Sequence, residues 1–379
     1  MHNEDTSTLG GTVQNSAALD AALEDVHRAG VPGLFAEVRD GGHVWRGAAG
    51  VADVETGRPV TAGMRHRVGS ITKTFTAAAV LLQVESGRLD LDRPVREYLP
   101  DLVPGDAITV RMLVNHTSGL AEYLPYAYPS LRAFPDLANT SPQSIDDHRF
   151  TRFDPVELIK LGVAAPPASA PGSTPGLYSN TNYLLLCELL ERVTGIAAEK
   201  VITRDVIERA GLRDTELPCG TEVDGPHSRL YECWFGMIDP PRDYSVYDMS
   251  WVGPSASLIS TVSDLNRFYA RLLAGEIVSR ASLAEMQRTV PVISQEGKVI
   301  PYGLGLHPTE TPGQQAFWGH GGTVWGGGAL AMTRADGGRQ LALAVNLQRW
   351  NTLDASGRPQ PHPIDAALAA FQRLALYGG

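Results

Sequence analysis

Ser70-Ile71-Thr72-Lys73 runs directly into Thr74-Phe75-Thr76-Ala77-Ala78-Ala79-Val80-Leu81-Leu82-Gln83-Val84-Glu85-Ser86. From Thr74 onward the segment is apolar nearly all round, which predicts a helix buried on every side rather than an amphipathic one. On a helix, residues i and i+3 share a face, so the Lys73 amine would sit over the Ser70 hydroxyl. A serine hydroxyl is a weak nucleophile until a base stands beside it. A lysine can be that base when burial and nearby positive charge lower its pKa. The N-terminal end of the helix would also favour negative charge forming at the serine. Taken alone, S-x-x-K is equally what chance and an N-cap serine produce.

The flanks of this helix follow a different grammar. Residues 16–29 place Leu19, Ala22, Leu23 and Val26 at helical spacing, and Gly30 stops the helix. Strand-like runs at 34–39 and 43–48 are joined by Asp40-Gly41-Gly42, a hairpin signal. Near the other end, 329–334 and 340–346 are joined by Asp336-Gly337-Gly338, with Leu341, Leu343 and Val345 sharing one face. A last helix is expected over 363–376. Helix–hairpin at one end and hairpin–helix at the other predict an α+β fold with one antiparallel sheet from both termini, flanked by helices. Residues 1–80 and 255–379 would form that split subdomain. A mainly helical subdomain, 81–254, would interrupt it, with the active site between the two. Helices are expected at 155–163, 181–194 and 261–273. The stretches 121–150 and 213–250 lack periodicity and read as long ordered loops, whose tyrosines favour a functional role.

Composition narrows the possibilities. The chain has 379 residues, 43% hydrophobic and 20% charged, which excludes a disordered or fibrous protein. Its net charge of −10 gives no basic footprint for nucleic acid or an anionic membrane. Three cysteines, Cys187, Cys219 and Cys233, form neither a disulfide framework nor a zinc knuckle. No HExxH or Cys/His cluster suggests a metal, and no cofactor is expected. No apolar run reaches the roughly 18 residues of a membrane span. The polar, acidic start, residues 1–17, does not read as a secretory signal, so a cytoplasmic location is expected. Nothing sets an oligomeric state.

Two further clusters carry chemistry-capable groups. Gly176-Leu177-Tyr178-Ser179-Asn180-Thr181-Asn182 follows a Pro/Gly-rich stretch just before the 181–194 helix. There, the phenol of Tyr178 can relay a proton and the amide of Asn180 can bind a carbonyl. Trp318-Gly319-His320-Gly321-Gly322-Thr323 surrounds a histidine with glycines beside a strand, where backbone can approach a ligand and strand N–H groups can form an oxyanion hole.

S-x-x-K, Y-S-N and H-G-G in this order resemble the serine β-lactamase and penicillin-binding superfamily. The resemblance is nearest to the branch of class C β-lactamases, D-alanyl-D-alanine carboxypeptidases, D-aminopeptidases and related esterases. It extends to Leu89–Val95 with Tyr98-Leu99-Pro100, Asn115-His116-Thr117-Ser118-Gly119-Leu120, Ser260–Leu265 and Tyr302-Gly303-Leu304-Gly305-Leu306, covering about residues 20–376. The resemblance implies that Ser70 forms an acyl-enzyme and Lys73 helps deprotonate it. Tyr178 would be general base and acid, and Asn180 would hold the substrate's amide or carbonyl. His320 would stand in place of the lysine of a K-T-G motif and keep Tyr178 in its working state. Backbone N–H groups of Ser70 and Thr323 would make the oxyanion hole. His116 is read as structural, and Cys187 as a core residue.

Two departures bear on the substrate. Where carboxypeptidases of this branch commonly have an arginine for a terminal carboxylate, this chain has His307, mostly neutral at pH 7 and without a bidentate fork. Gly321 stands where a hydroxyl-bearing residue often follows, beside Gly322. Trp251 aligns with an aromatic wall of the branch. Together with Trp234, Trp325, Tyr123, Tyr126 and Tyr128 it suggests an aromatic acyl pocket. The expected activity is hydrolysis of an amide or ester of a small molecule or short peptide, of D-amino-acid type. The alternatives are transfer of the acyl group to an amine, or a binding module on the same fold.

Overall fold

The computed structural model describes residues 15–218, 220–309 and 314–378. Cys219 and most of the acidic start, residues 1–14, therefore lie outside the described residues. The chain opens with α1 (Ser16–Arg28) and the hairpin β1 (Gly33–Asp40) and β2 (His43–Asp53), followed by β3 (Arg58–Pro59). The apolar segment forms α2 (Thr72–Glu85), with Thr72–Leu81 and Gln83 buried, as an all-round apolar helix requires. Further along come α3 (Pro155–Ala164), β4 (Gly176–Leu177), α4 (Asn180–Thr194) and α5 (Val262–Leu273). The C-terminal part contains β5 (Val290–Ile293), β6 (Val299–Tyr302), β7 (His307–Pro308), β8 (Phe317–Val324), β9 (Gly327–Arg334), β10 (Arg339–Val345) and α6 (Pro363–Tyr377).

The main sheet has seven strands in the order β7-β8-β9-β10-β1-β2-β3, so strands from the two ends meet where β10 pairs antiparallel with β1. Alternation along β10 splits the interior. Leu341, Leu343 and Val345 face α1 and α6 and join Leu19, Leu23 and Phe371 in one core. Ala342 and Ala344 face the other way, into the larger core of Phe75, Leu184 and Phe268. Small side chains on that face let α2 and α5 lie close to the sheet. Stacking of Phe75 on Phe268, with ring centroids 3.7 Å apart, locks the two helices together.

Two regions differ from the sequence reading. Residues 121–150 are not a plain loop: Leu124–Ala127 and Gln143–Asp147 are short helices, joined by 3-10 turns. Each spans a turn or so, too short to display a period. A second sheet, β6-β5-β4, was not expected from the sequence. Its hairpin pairs Pro291 with Pro301, residues that argue against a strand when read singly. Leu177 pairs in parallel with Ile293, and this small sheet fixes the segment that carries Tyr178. Among the described residues no helix is long and apolar enough to cross a membrane.

Candidate active site

Ser70 lies in the 3-10 turn Gly69–Ile71 that leads into α2, and Lys73 is one turn on. The turn is pinned by Thr72, whose Oγ1 donates to Gly69 O at 2.6 Å and accepts from Leu258 N at 3.2 Å. The i, i+3 spacing does what the sequence implies: Lys73 Nζ donates to Ser70 Oγ at 3.0 Å. It donates also to Asn180 Oδ1 at 2.7 Å, on the first turn of α4. Lys73 is fully buried, and that burial pushes its pKa down to about 7, against the opposing pull of the Glu122 carboxylate. A large part of the amine is therefore neutral near pH 7 and able to accept the serine proton.

Tyr178 stands across from this pair, its ring centroid 5.1 Å from Lys73 Nζ. Its hydroxyl makes no hydrogen bond among the described residues. Burial pushes the phenol well above its ordinary value, although the nearby Ser70 hydroxyl opposes the shift. Tyr178 is thus a neutral phenol, suited to giving a proton rather than taking one. His116 is its shelf, stacked with ring centroids 4.1 Å apart. His116 Nδ1 accepts from Ser179 N at 3.3 Å, and Gly176 permits the approach, since a Cβ there would lie 2.4 Å from His116 O.

His320 lies on β8 but does not reach the Tyr178 hydroxyl. Its Nε2 pairs with Tyr302 Oη at 2.9 Å, and its ring centroid is 6.4 Å from that of Tyr178. Burial first, then His307 and Lys73, hold it well below the ordinary histidine value, so it is neutral. Its link to Tyr178 runs through packing and Tyr302 rather than through a charge. β8 presses against the serine turn so tightly that a Cβ on Gly322 would lie 1.8 Å from Val68 O and 2.9 Å from Ser70 N. A Cβ on Gly69 would meet Thr323 N at 2.6 Å, so the backbones of the serine turn and of β8 at Thr323 approach closely, and Ser70 and Thr323 line the same cleft.

The remaining residues are less uniform. Asn180 is engaged at both ends of its amide: Oδ1 on Lys73, and Nδ2 donating to Glu122 Oε2 at 2.9 Å. That orientation serves Lys73 before any substrate arrives. Trp251 is buried and stacked on Trp325 at 4.9 Å, in a cluster with Tyr128 and Trp234. Tyr128, Trp251 and Trp325 leave no room between them for water. These rings are the packed core of the loop region, not the open aromatic pocket expected. His307 is half-buried on the cleft wall and held low by burial, with its ring 5.5 Å from His320. Among the described residues no His/Cys/Asp/Glu group could hold a metal.

Glu122 went unnoticed in the sequence. It accepts from Asn180 N at 2.8 Å as well as from Nδ2, and burial holds its carboxyl above the usual value. Its only local signal is that it lies two residues past the N-H-T-S-G-L run; its partner is 58 residues away. Because the Glu122 charge raises the Lys73 pKa, Glu122→Gln is expected to move the acid limb of a kcat/KM–pH profile to lower pH. An upward movement, or none, would show that the carboxylate does not act on Lys73.

The beta-lactamase family matches residues 18–363, and the chain belongs to that family. A D-stereospecific amidohydrolase from Streptomyces sp. superposes with a TM-score of 0.80 at 32% identity, covering 96% of this chain and 99% of that one. A D-aminopeptidase from Cereibacter sphaeroides is 29% identical over 343 residues, 86% of this chain and 59% of the relative. Penicillin-binding protein 4* from Bacillus subtilis is 26% identical over 316 residues, 80% of this chain and 65% of the relative. The chain thus spans less than two thirds of these last two relatives.

Proposed function

We propose that the chain is a serine acyl-transfer hydrolase that cleaves an amide or ester of a D-amino acid through an acyl-enzyme on Ser70. The observation that carries this reading is the buried Lys73 amine, about 7 in pKa and 3.0 Å from the Ser70 hydroxyl. Neutral Lys73 takes the serine proton as Oγ attacks the carbonyl carbon. The carbonyl oxygen, now anionic, lies between the N–H groups of Ser70 and Thr323. Tyr178 hands its proton to the leaving nitrogen or oxygen as that bond breaks, and regains one by way of Lys73. Water then attacks the ester, with the same groups returning the serine. The relatives named as an amidohydrolase and an aminopeptidase favour water over an amine as the acceptor, and the D-stereospecific one favours D-configured substrates. The test is kcat/KM on matched D- and L-phenylalanine amides and methyl esters. A D preference supports the reading, and equal turnover of both hands contradicts it.

His307 bears on the leaving side. A free carboxylate is gripped best by a charge-assisted, bidentate donor, which a neutral histidine lacks. Substrates ending in a free carboxylate are therefore expected to gain nothing over their amides or esters at pH 7–8. His307→Arg is expected to raise relative kcat/KM on the free acid roughly tenfold, equivalent to about 1.4 kcal/mol in the transition state. A wild type that strongly prefers the free acid would contradict this.

A further inference from the structure

The cleft does not end at the catalytic groups. A volume of about 430 Å³ begins at Ser70 and Tyr178 and continues to Leu368 and Gln372 on α6. It passes around the edge of the main sheet, and the pairing shows how. β7 covers β8 only at Trp318 and Gly319, so β8 from His320 onward is a sheet edge with no paired strand among the described residues. On that edge Gly322 turns toward Ser70, whereas Gly321 turns toward the face that carries α6. Gly321 stands in register with Leu330, and Leu330 with Leu343. A Cβ on Gly321 would touch nothing nearer than Ala329 O and Leu330 Cδ1, both at 3.8 Å, so any larger side chain there would project into the gap. In the adjoining row Thr323 faces Gly328, which faces Val345, and there the space is filled, since a Cβ on Gly328 would meet Gln348 Nε2 at 2.8 Å.

Beyond the glycine saddle the floor is the half-buried Leu330, with Leu343 and Val345 of the core almost wholly buried beneath it, and the far wall is Gln348, Trp350, Leu368 and Gln372. The near wall is the β5–β6 turn, where Glu296 and Lys298 pair at 3.6 Å and offset each other's charge. His307 and His320, also in the lining, are held neutral by burial. The lining is mostly apolar, with the neutral side chains of Ser294, Gln295, Gln348 and Gln372 among it and no uncompensated charge, which fits an uncharged, largely hydrocarbon group rather than a carboxylate or ammonium.

Which half of the substrate lies there follows from Tyr178. The phenol that would protonate the leaving atom lines this cleft, together with His307, whereas Asn180 and Trp251 do not. We propose that the leaving group crosses the bare edge at Gly321 and lays an extended apolar chain into the trough between the sheet and α6. This rests on the acyl-hydrolase reading above and narrows it: the favoured substrates are esters or amides of long apolar alcohols or amines, not primary amides that release ammonia.

The test holds the acyl group constant and lengthens the leaving group. Methyl, butyl and hexyl esters of D-phenylalanine are compared by kcat/KM in the wild type, in Gln372→Trp, which fills the trough from the exposed side of α6, and independently in Leu330→Trp. Burying each added methylene favours the longer ester, so the wild type is expected to prefer hexyl over methyl by about tenfold or more. Either tryptophan is expected to reduce that ratio at least about fivefold. A flat series in the wild type, or a ratio that neither variant moves, overturns the trough while the hydrolase reading stands. No turnover of any ester overturns both.

Discussion

Ser70→Ala abolishes covalent labelling by a serine-directed probe and lowers turnover by on the order of 10⁴–10⁶-fold, while the protein still folds: that is the expected result. The effect is large because Ser70 is the hydroxyl in this cleft that has the Lys73 amine at 3.0 Å to take its proton. Lys73 is a donor to the serine oxygen, Tyr178 is a protonated phenol, and His320 is spent on Tyr302. The structural cost is small, because among the described residues Ser70 Oγ accepts one close hydrogen bond, from Lys73, a loss of about 1 kcal/mol. An unchanged thermal transition with lost labelling checks both halves. Retained turnover would remove Ser70 from the mechanism.

Lys73→Ala is expected to be the next most damaging change, lowering kcat/KM by roughly 10²–10⁴-fold, the range for a positioned proton-transfer group. Tyr178→Phe falls in the same range, and the double variant is expected to lose far less than the product, since the two share one proton path. The pH profile separates their roles. The neutral form of Lys73 is the active one and its pKa is about 7, so kcat/KM rises with pH through that value. The active form of Tyr178 is the protonated one and burial holds its pKa well above 10, so the plateau extends through the alkaline range. A wild-type profile that rises again above this plateau, at alkaline pH, would assign the phenolate, not the phenol, to the reaction.

The elements that positioned these groups differ in how far the chain announces them. Asp40-Gly41-Gly42 and Asp336-Gly337-Gly338 are local turn chemistry, and the two hairpins stand where the glycines put them. α2 is legible from its own composition, and with it the Ser70–Lys73 geometry, because i and i+3 are neighbours both in a helix and in the 3-10 turn that leads into it. Whatever depends on distant partners is not legible. The Asn180 amide is oriented by Glu122 and Lys73, which lie on two other segments and leave no mark beside Asn180 in the sequence. Likewise a row of aromatic residues looks the same in sequence whether it lines a pocket or fills a core, and only the stacking of Trp251 on Trp325 shows that it fills one. His320 is intermediate: its place beside the serine turn follows from the glycines around it, but its Tyr302 partner does not.

The central claim is that a carboxyl-derived acyl group is transferred to the Ser70 oxygen. It is tested most directly by intact mass after rapid acid quench during turnover of D-phenylalanine methyl ester, followed by peptide mapping. The account predicts a transient gain equal to one D-phenylalanyl group, confined to the peptide that contains Ser70 and absent from Ser70→Ala. Turnover of the ester with no covalent species in either protein, or an adduct on any other residue, would contradict it.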